Sequence, residues 1–189
     1  VRCRLRLETI AERMRPHAAP REAGATPRAA VAAIVRPGSE PEGAEILLIR
    51  RAERAGDPWS GHMAFPGGRR DERDRSLLET ATRETLEEVG IALDGAPLGL
   101  LPDVPTHRTG LVVRPFVFAL ERNVTLATSD EVAEALWTPL APLMRGEHGG
   151  TYAFRHEGIR YALPCFRLED RIVWGLTYRM LELLFETLR

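Results

Sequence analysis

The sequence predicts an α+β fold in which a mixed β-sheet lies between helices. Three observations predict it. Two apolar, β-leaning runs at 29–35 and 44–49 flank a turn-rich linker, PGSEPEG, and read as a strand pair. A helix with start and stop signals spans 77–89. The other strands and helices are interspersed without the regular βαβ alternation of a doubly wound sheet. There is no G-x-G-x-x-G and no Walker loop.

The elements follow in order. Leu5, Leu7, Ile10 and Met14 give helical spacing over 5–15. The Ala-, Pro- and Gly-rich stretch 17–27 reads as flexible. Residues 1–27 are therefore taken as an N-terminal helix and lead, and 28–189 as one domain. The strand pair follows, then a loop over 52–64 and a Phe65-Pro66-Gly67-Gly68 turn, where paired glycines let the backbone approach another group closely. Ser76 with Glu79 makes a capping box for the helix 77–89, and Gly90 stops it. Strands are predicted at 98–101 and 111–120. A short capped helix is predicted at 129–136, with Trp137 opening a further strand or turn. A hairpin joins 152–154 to 159–163 through His156-Glu157-Gly158. Leu176, Met180, Leu183, Leu184 and Leu188 share one broad face of a helix over 175–188, which suits either the core or a homodimer interface.

Composition narrows the function classes. The chain has 189 residues, 44% apolar and 28% charged, as in an ordinary globular protein. A net charge of −1 gives no general attraction to nucleic acid or to an anionic membrane. No run of 18 apolar residues occurs, and the charged opening VRCRLRLETIAERMRPHAAP does not read as a secretory signal. Cys3 and Cys165 make neither a disulfide framework nor a zinc pair, and read as reduced thiols of a cytoplasmic protein. The charges are locally segregated. Arg50, Arg51 and Arg54 cluster, as do Arg69 and Arg70, while acids gather in 79–88.

On the helix, Glu84, Glu87 and Glu88 stand at i, i+3 and i+4 and lie near one face. Like charges so placed repel, and the helix carries no lysine to relieve them. Either the face is solvated, or a hard divalent cation such as Mg²⁺ or Mn²⁺ binds the carboxylates. Glu79, four residues before Arg83, is placed to hold that arginine.

Gly68, Asp74, Arg83, Glu84, Thr85, Glu87, Glu88, Gly90 and Ile91 resemble the Nudix box, G-x5-E-x7-R-E-U-x-E-E-x-G-U, where U is a bulky aliphatic residue. Asp74 replaces the first Glu, its spacer to Arg83 is one residue longer, and Thr85 stands at an aliphatic position. The resemblance implies a Nudix-type α/β/α sandwich and hydrolysis of a diphosphate bond with Mg²⁺ or Mn²⁺. It implies metal binding by Glu84, Glu87, Glu88 and Gly68, and catalytic roles for those glutamates with Arg83.

The box also resembles the coenzyme A pyrophosphatase branch, whose upstream signature is L-L-T-x-R-[SA]-x3-R-x3-G-x3-F-P-G-G. Leu47, Leu48, Arg51, Ala52, Gly61 and Phe65-Pro66-Gly67-Gly68 match it. Ile49 replaces Thr, the middle spacer is one residue longer, and Asp57 stands where the arginine belongs. The resemblance implies coenzyme A or a derivative as substrate, cleaved to 3′,5′-ADP and 4′-phosphopantetheine. Arg50, Arg51, Arg54, Phe65, Gly67, Gly68 and Arg69 are the substrate-binding candidates, with Arg70 a further phosphate candidate and Trp59 or Phe65 for stacking. Asp57 keeps open ADP-ribose, a nucleotide sugar, a nucleoside triphosphate, or an idle nucleotide-binding module.

Other residues are read more plainly. Glu131 is either a late carboxylate near the metal or a helix-start acid. His62, His107 and His156 lack H-E-x-x-H spacing and read as polar surface or loop residues. Residues 106–110 suit a substrate lip, Trp174 packs the last helix on the core, and Ser60 lacks a nucleophile-elbow setting.

Overall fold

In a computed structural model, which describes residues 5–15, 26–38, 43–55, 60–106, 110–156 and 158–189, the central feature is a strand pair that splays apart. Strand β1 (Ala29–Pro37) and strand β2 (Ala44–Arg51) are antiparallel, but their register runs only from Val35↔Ile46 to Pro37↔Ala44. Beyond that the strands diverge, and their free edges are taken by the segment 63–69. Strand β3 (Met63–Ala64) pairs with β2, and strand β4 (Gly67–Arg69) pairs with β1. The Ala32 N–H donates to the Pro66 carbonyl and the Arg51 N–H to the His62 carbonyl, so the wedge is bonded along both sides.

Strands β5 (Gly99–Leu100) and β6 (Val104–Pro105) both pair with β7 (Val112–Ala119). Strand β7 lies parallel to β1, which makes the sheet mixed. Strand β8 (Val132–Pro139) lines the other side of β2. A second, three-stranded sheet holds β9 (Gly149–His156), β10 (Ile159–Leu168) and β11 (Arg171–Trp174).

The sequence of β1 explains the layering. Ala29, Val31, Ala33 and Val35 join one core cluster, while Ala30, Ala32 and Ile34 join another on the opposite face. The first is covered by α1 (Leu7–Met14), α3 (Leu140–Met144) and α4 (Gly175–Leu188). The second is covered by α2 (Leu77–Val89), through Ala81 and Val89. The result is the expected α+β sandwich, a mixed sheet between helices. Met180, Leu183, Leu184 and Leu188 of α4 are buried within the single chain. Among the described residues no helix is long and apolar enough to cross a membrane.

Five expectations need correction. Residues 129–136 form no helix, since 132–139 is a strand paired along β2. The loop predicted at 52–64 ends in β3, and the expected turn at 65–68 runs into β4, because both sides of the wedge offer unpaired strand edges. The predicted hairpin exists, but its strands extend to 149 and 168. Trp174 serves the small sheet rather than the last helix, with ring centroids 4.8 Å from Tyr152 and 4.9 Å from Phe154. The expectations for Cys3, Asp57, Trp59, His107 and most of the 17–27 lead lie outside the described residues, as does the His156 side chain.

Candidate functional site

The wedge delivers a glycine pair beneath α2. Gly67 has φ +151°, and a Cβ there would lie 2.3 Å from the Ala30 carbonyl oxygen. At Gly68 a Cβ would lie 2.5 Å from Glu84 Oε1. The absence of both side chains lets the backbone sit directly against the carboxylates of the helix. The Gly67 N–H donates to Glu88 Oε2 at 2.9 Å.

Helix α2 begins and ends where predicted. The Ser76 hydroxyl accepts from the Glu79 N–H, and Gly90 closes the helix at φ 72°. The reciprocal half of the capping box is displaced by one residue, because the Glu79 carboxylate accepts from the Arg75 N–H. The last turn is also held from outside. The Ala127 N–H donates to the Val89 carbonyl and the Ser129 N–H to the Glu88 carbonyl. This lacing carries the start of β8, and with it Glu131, toward the acidic face. The Ala52 N–H fixes the Glu131 carbonyl from the other side.

Asp74 and Arg83 form the anchor of the site. Asp74 is 3% exposed. It accepts from Arg83 Nε at 2.9 Å and Nη2 at 3.0 Å, from the Thr80 hydroxyl and from the Asp71 N–H. Arg83 chiefly, with the Asp71 and Thr80 donors, holds the Asp74 carboxyl well below its usual range despite burial. The same guanidinium reaches Glu84 Oε1 at 3.0 Å and Glu87 Oε2 at 2.9 Å. Glu79, expected to hold Arg83, instead pairs with Arg75. Sequence reasoning assigned Asp74 to the box but missed it as the anchor, since no local signal separates it from Glu79 as the partner of Arg83.

The three glutamates are not equivalent. Glu87 is exposed, Glu84 is half-buried, and Glu88 is 3% exposed. Burial, with Glu84 and Glu131 nearby, pushes the Glu88 carboxyl up to about 7, against the opposing Gly67 N–H and the Arg51 charge. Burial, with Glu87 and Glu131, also raises Glu84, against the pull of Arg83. Glu131 thus lies near enough to raise both Glu84 and Glu88, and Arg51 near enough to Glu88 to oppose the rise.

The expected arginine cluster separates. On β2, Leu47 and Ile49 belong to the core cluster beneath α2, and Ile46 and Leu48 to the opposite one. By this alternation Arg51 shares the α2 face and Arg50 the other, where it lies 3.7 Å from Asp170. Arg54 is held by Glu131 at 3.0 Å and Asp130 at 3.5 Å. Arg69 is exposed on β4 beside the glycines, whereas Arg70 is bound to the Asp74 and Arg75 carbonyls. Phe65 is 2% exposed and packs in the core, so its ring presents no face for stacking.

The sequence profile of the NUDIX domain matches residues 26–155. The chain belongs to the Nudix family. A mitochondrial coenzyme A diphosphatase of Homo sapiens is 35% identical over 175 residues, covering 88% of this chain and 74% of its own. An uncharacterized protein of Schizosaccharomyces pombe is 45% identical over 111 residues. That match covers 54% of this chain and 34% of the yeast protein, so the chain spans about a third of that relative's length. Among solved structures, a NUDIX hydrolase from Alicyclobacillus acidocaldarius shares the fold, with a TM-score of 0.51 at 23% identity over 87% of this chain and 93% of its own.

Membership of the Nudix family supports hydrolase activity on a diphosphate-linked compound. A divalent metal is typical of the family, and the donor chemistry here suits one. Glu84 and Glu88 are carboxylates whose burial and mutual repulsion a hard cation would relieve. Among the described residues, however, no three potential ligand side chains converge on one point. The geometry explains this, because Arg83 draws Glu84 and Glu87 toward itself.

Proposed function

We propose that this Nudix hydrolase uses Mg²⁺ or Mn²⁺ to cleave the diphosphate of coenzyme A or its derivatives, giving 3′,5′-ADP and 4′-phosphopantetheine. The observation that carries the reading is the buried Glu88 bonded to the Gly67 N–H, with Glu84 against Gly68 and Arg83 anchored on Asp74. The likeness to the human coenzyme A diphosphatase over 88% of the chain supports the substrate.

Glu84, Glu87 and Glu88, with the Gly68 carbonyl, would hold the metal. Once bound, it supplies neutralisation of the diphosphate and a lowered pKa for the attacking water. The protein's own groups have separate tasks. Arg83, fixed by Asp74, orients Glu84 and Glu87. Burial and neighbouring acids raise the Glu88 carboxyl to about 7 in the metal-free chain, and with a cation bound it would return to the carboxylate form that holds the metal. Arg51 and Arg69 border the site with positive charge for phosphate oxygens, and Arg54 holds Glu131 in place.

Asp57, standing where the coenzyme A signature has arginine, favours a second reading: a related substrate such as ADP-ribose or a nucleotide sugar. A panel of diphosphates assayed with Mg²⁺ for phosphate or ADP release separates the two. Coenzyme A is expected to turn over fastest. Equal or faster turnover of ADP-ribose would overturn the coenzyme A assignment, and no turnover of any compound with tight binding would leave an idle nucleotide-binding module.

A further inference from the structure

We propose that the cleft bounded by Arg50, His62, Tyr152, Asp170 and Trp174 is a nucleobase subsite, which takes the flat nitrogen ring of the substrate while the diphosphate lies at Glu84 and Glu88. The proposal rests on the reading above that the substrate is a nucleotide derivative.

The cleft encloses about 170 Å³ between the end of β2, strand β3 and the small sheet. Whole-ligand pockets run to roughly 300–1,000 Å³, so this one fits a part of a ligand. Its wall is aromatic. Tyr152 and Trp174 have ring centroids 4.8 Å apart, tilted by 39°, and His62 meets Trp174 edge-on at 4.9 Å and 68°. Phe154 supports Trp174 at 4.9 Å from outside the cleft lining. The rings are therefore held in place before a ligand arrives, and both Tyr152 and Trp174 are only half-buried. Such a surface stacks on the π-face that every base carries.

The charges choose between a base and a phosphate. Arg50 and Arg171 are set among Glu134, Glu169 and Asp170. Arg171 is engaged by Glu134 through two nitrogens and by both other acids. Two cations against three carboxylates disfavour an anion here. A neutral ring with donors and acceptors on its edge fits better. The pair between Arg50 and Asp170 is 3.7 Å long and lies between partly exposed groups, so it gives way at little cost. An exocyclic amine then donates to Asp170, and a ring nitrogen accepts from Arg50. Adenine offers both.

Just beyond the end of β2, Arg54 is bonded to Glu131, whose charge acts on Glu84 and Glu88, and Gly61 and His62 line the cleft. Arg50 and Arg51, adjacent on β2, point to opposite faces and mark the two sides of the same rim. A larger cavity, about 280 Å³, is lined by residues 92–96 and 118–122 and contains none of these groups.

Calorimetric titration of the full chain with 5′-AMP and with purine riboside 5′-monophosphate, which carries hydrogen in place of the amine and has no ring N–H on that edge, tests the assignment. AMP is expected to bind at least about tenfold more tightly than the purine analogue, because a site built to pair with an amine disfavours the analogue lacking it. Asp170→Ala, at an exposed turn, should abolish that preference. Tyr152→Ala should weaken AMP by about fivefold or more through loss of stacking, and Tyr152→Phe should restore it, with the melting temperature of each variant as the check on folding. Equal binding of AMP and purine riboside 5′-monophosphate, an unaltered preference in Asp170→Ala, or absence of nucleotide binding would each overturn the subsite. If AMP binding depends on Tyr152 and Asp170 but no diphosphate is cleaved, the functional reading fails and the subsite stands. If coenzyme A is cleaved and Tyr152→Ala leaves its KM unchanged, the reverse holds.

Discussion

Glu88 concentrates the tension of the site in one side chain. It is 3% exposed, bonded to the Gly67 N–H, and raised to about 7 by burial and by neighbouring acids. A raised value means that the folded chain keeps a proton that the unfolded chain loses nearer 4.5. The stability linked to that proton is whole below about pH 4.5 and is lost as pH rises through about 7, a change of up to about 3 kcal/mol. Glutamine holds no titrating proton and still accepts from Gly67. In chelator, Glu88→Gln should therefore melt close to the wild type at pH 5 and about 4 °C or more above it at pH 8. Parallel melting curves across that range would refute the shift. With Mg²⁺ present, the same variant should lose at least about 100-fold in turnover while remaining folded.

At the scale of elements, the site depends on a short strand meeting a helix. β4 approaches α2 so closely that only glycine fits at 68, yet the atoms a new Cβ would strike belong to the flexible end of Glu84 rather than to backbone. Gly68→Ala should then displace Glu84 and leave the fold. We expect turnover to fall at least about tenfold, equivalent to about 1.4 kcal/mol of transition-state stabilisation, with the melting temperature changed by only a few degrees. Gly67→Ala, which would strike the Ala30 carbonyl and Val31 Cα, should instead lower the melting temperature strongly. The sequence revealed α2 fully, because Ser76, Glu79 and Gly90 are local signals that need no partner. It misread β8 for a physical reason. Ser129 and Glu131 suit a helix start and Ala133, Glu134 and Ala135 favour a helix locally, and only the ladder along β2 makes a strand from 132 onward. The glycine pair was likewise legible as a close approach, but what it approached was not. Nor was the role of Asp74, because Glu79 and Asp74 are equally plausible partners for Arg83 until the loop 71–76 is folded.

The whole molecule extends beyond the segment that the NUDIX profile matches. That segment, 26–155, contains β1 to β8, α2, α3 and nearly all of β9, but not α1, β10, β11 or α4. The outer helices α1 and α4, with α3, cover one face of the sheet. Ile10 and Met14 of α1 and Leu181, Leu184, Phe185 and Leu188 of α4 are at most 1% exposed and belong to the same cluster as Val31, Val35 and Leu48. Without them the apolar face of β1 and β2 would meet water, at about 25 cal/mol per Å² of exposed apolar surface. A loss of several such side chains, each worth roughly 1.5–3 kcal/mol, is comparable with the roughly 5–15 kcal/mol by which a domain is stable. The segment 26–155 expressed alone should therefore show no cooperative thermal unfolding by circular dichroism, although it carries Asp74, Arg83, Glu84, Glu87, Glu88 and Glu131. A milder change tests the same point within the intact chain. Ile10→Ala should destabilise by about 2–4 kcal/mol, read as the shift in denaturant midpoint at unchanged slope, and leave KM for the diphosphate unaltered. A shift below about 1 kcal/mol would show that α1 is an accessory to the core rather than part of it.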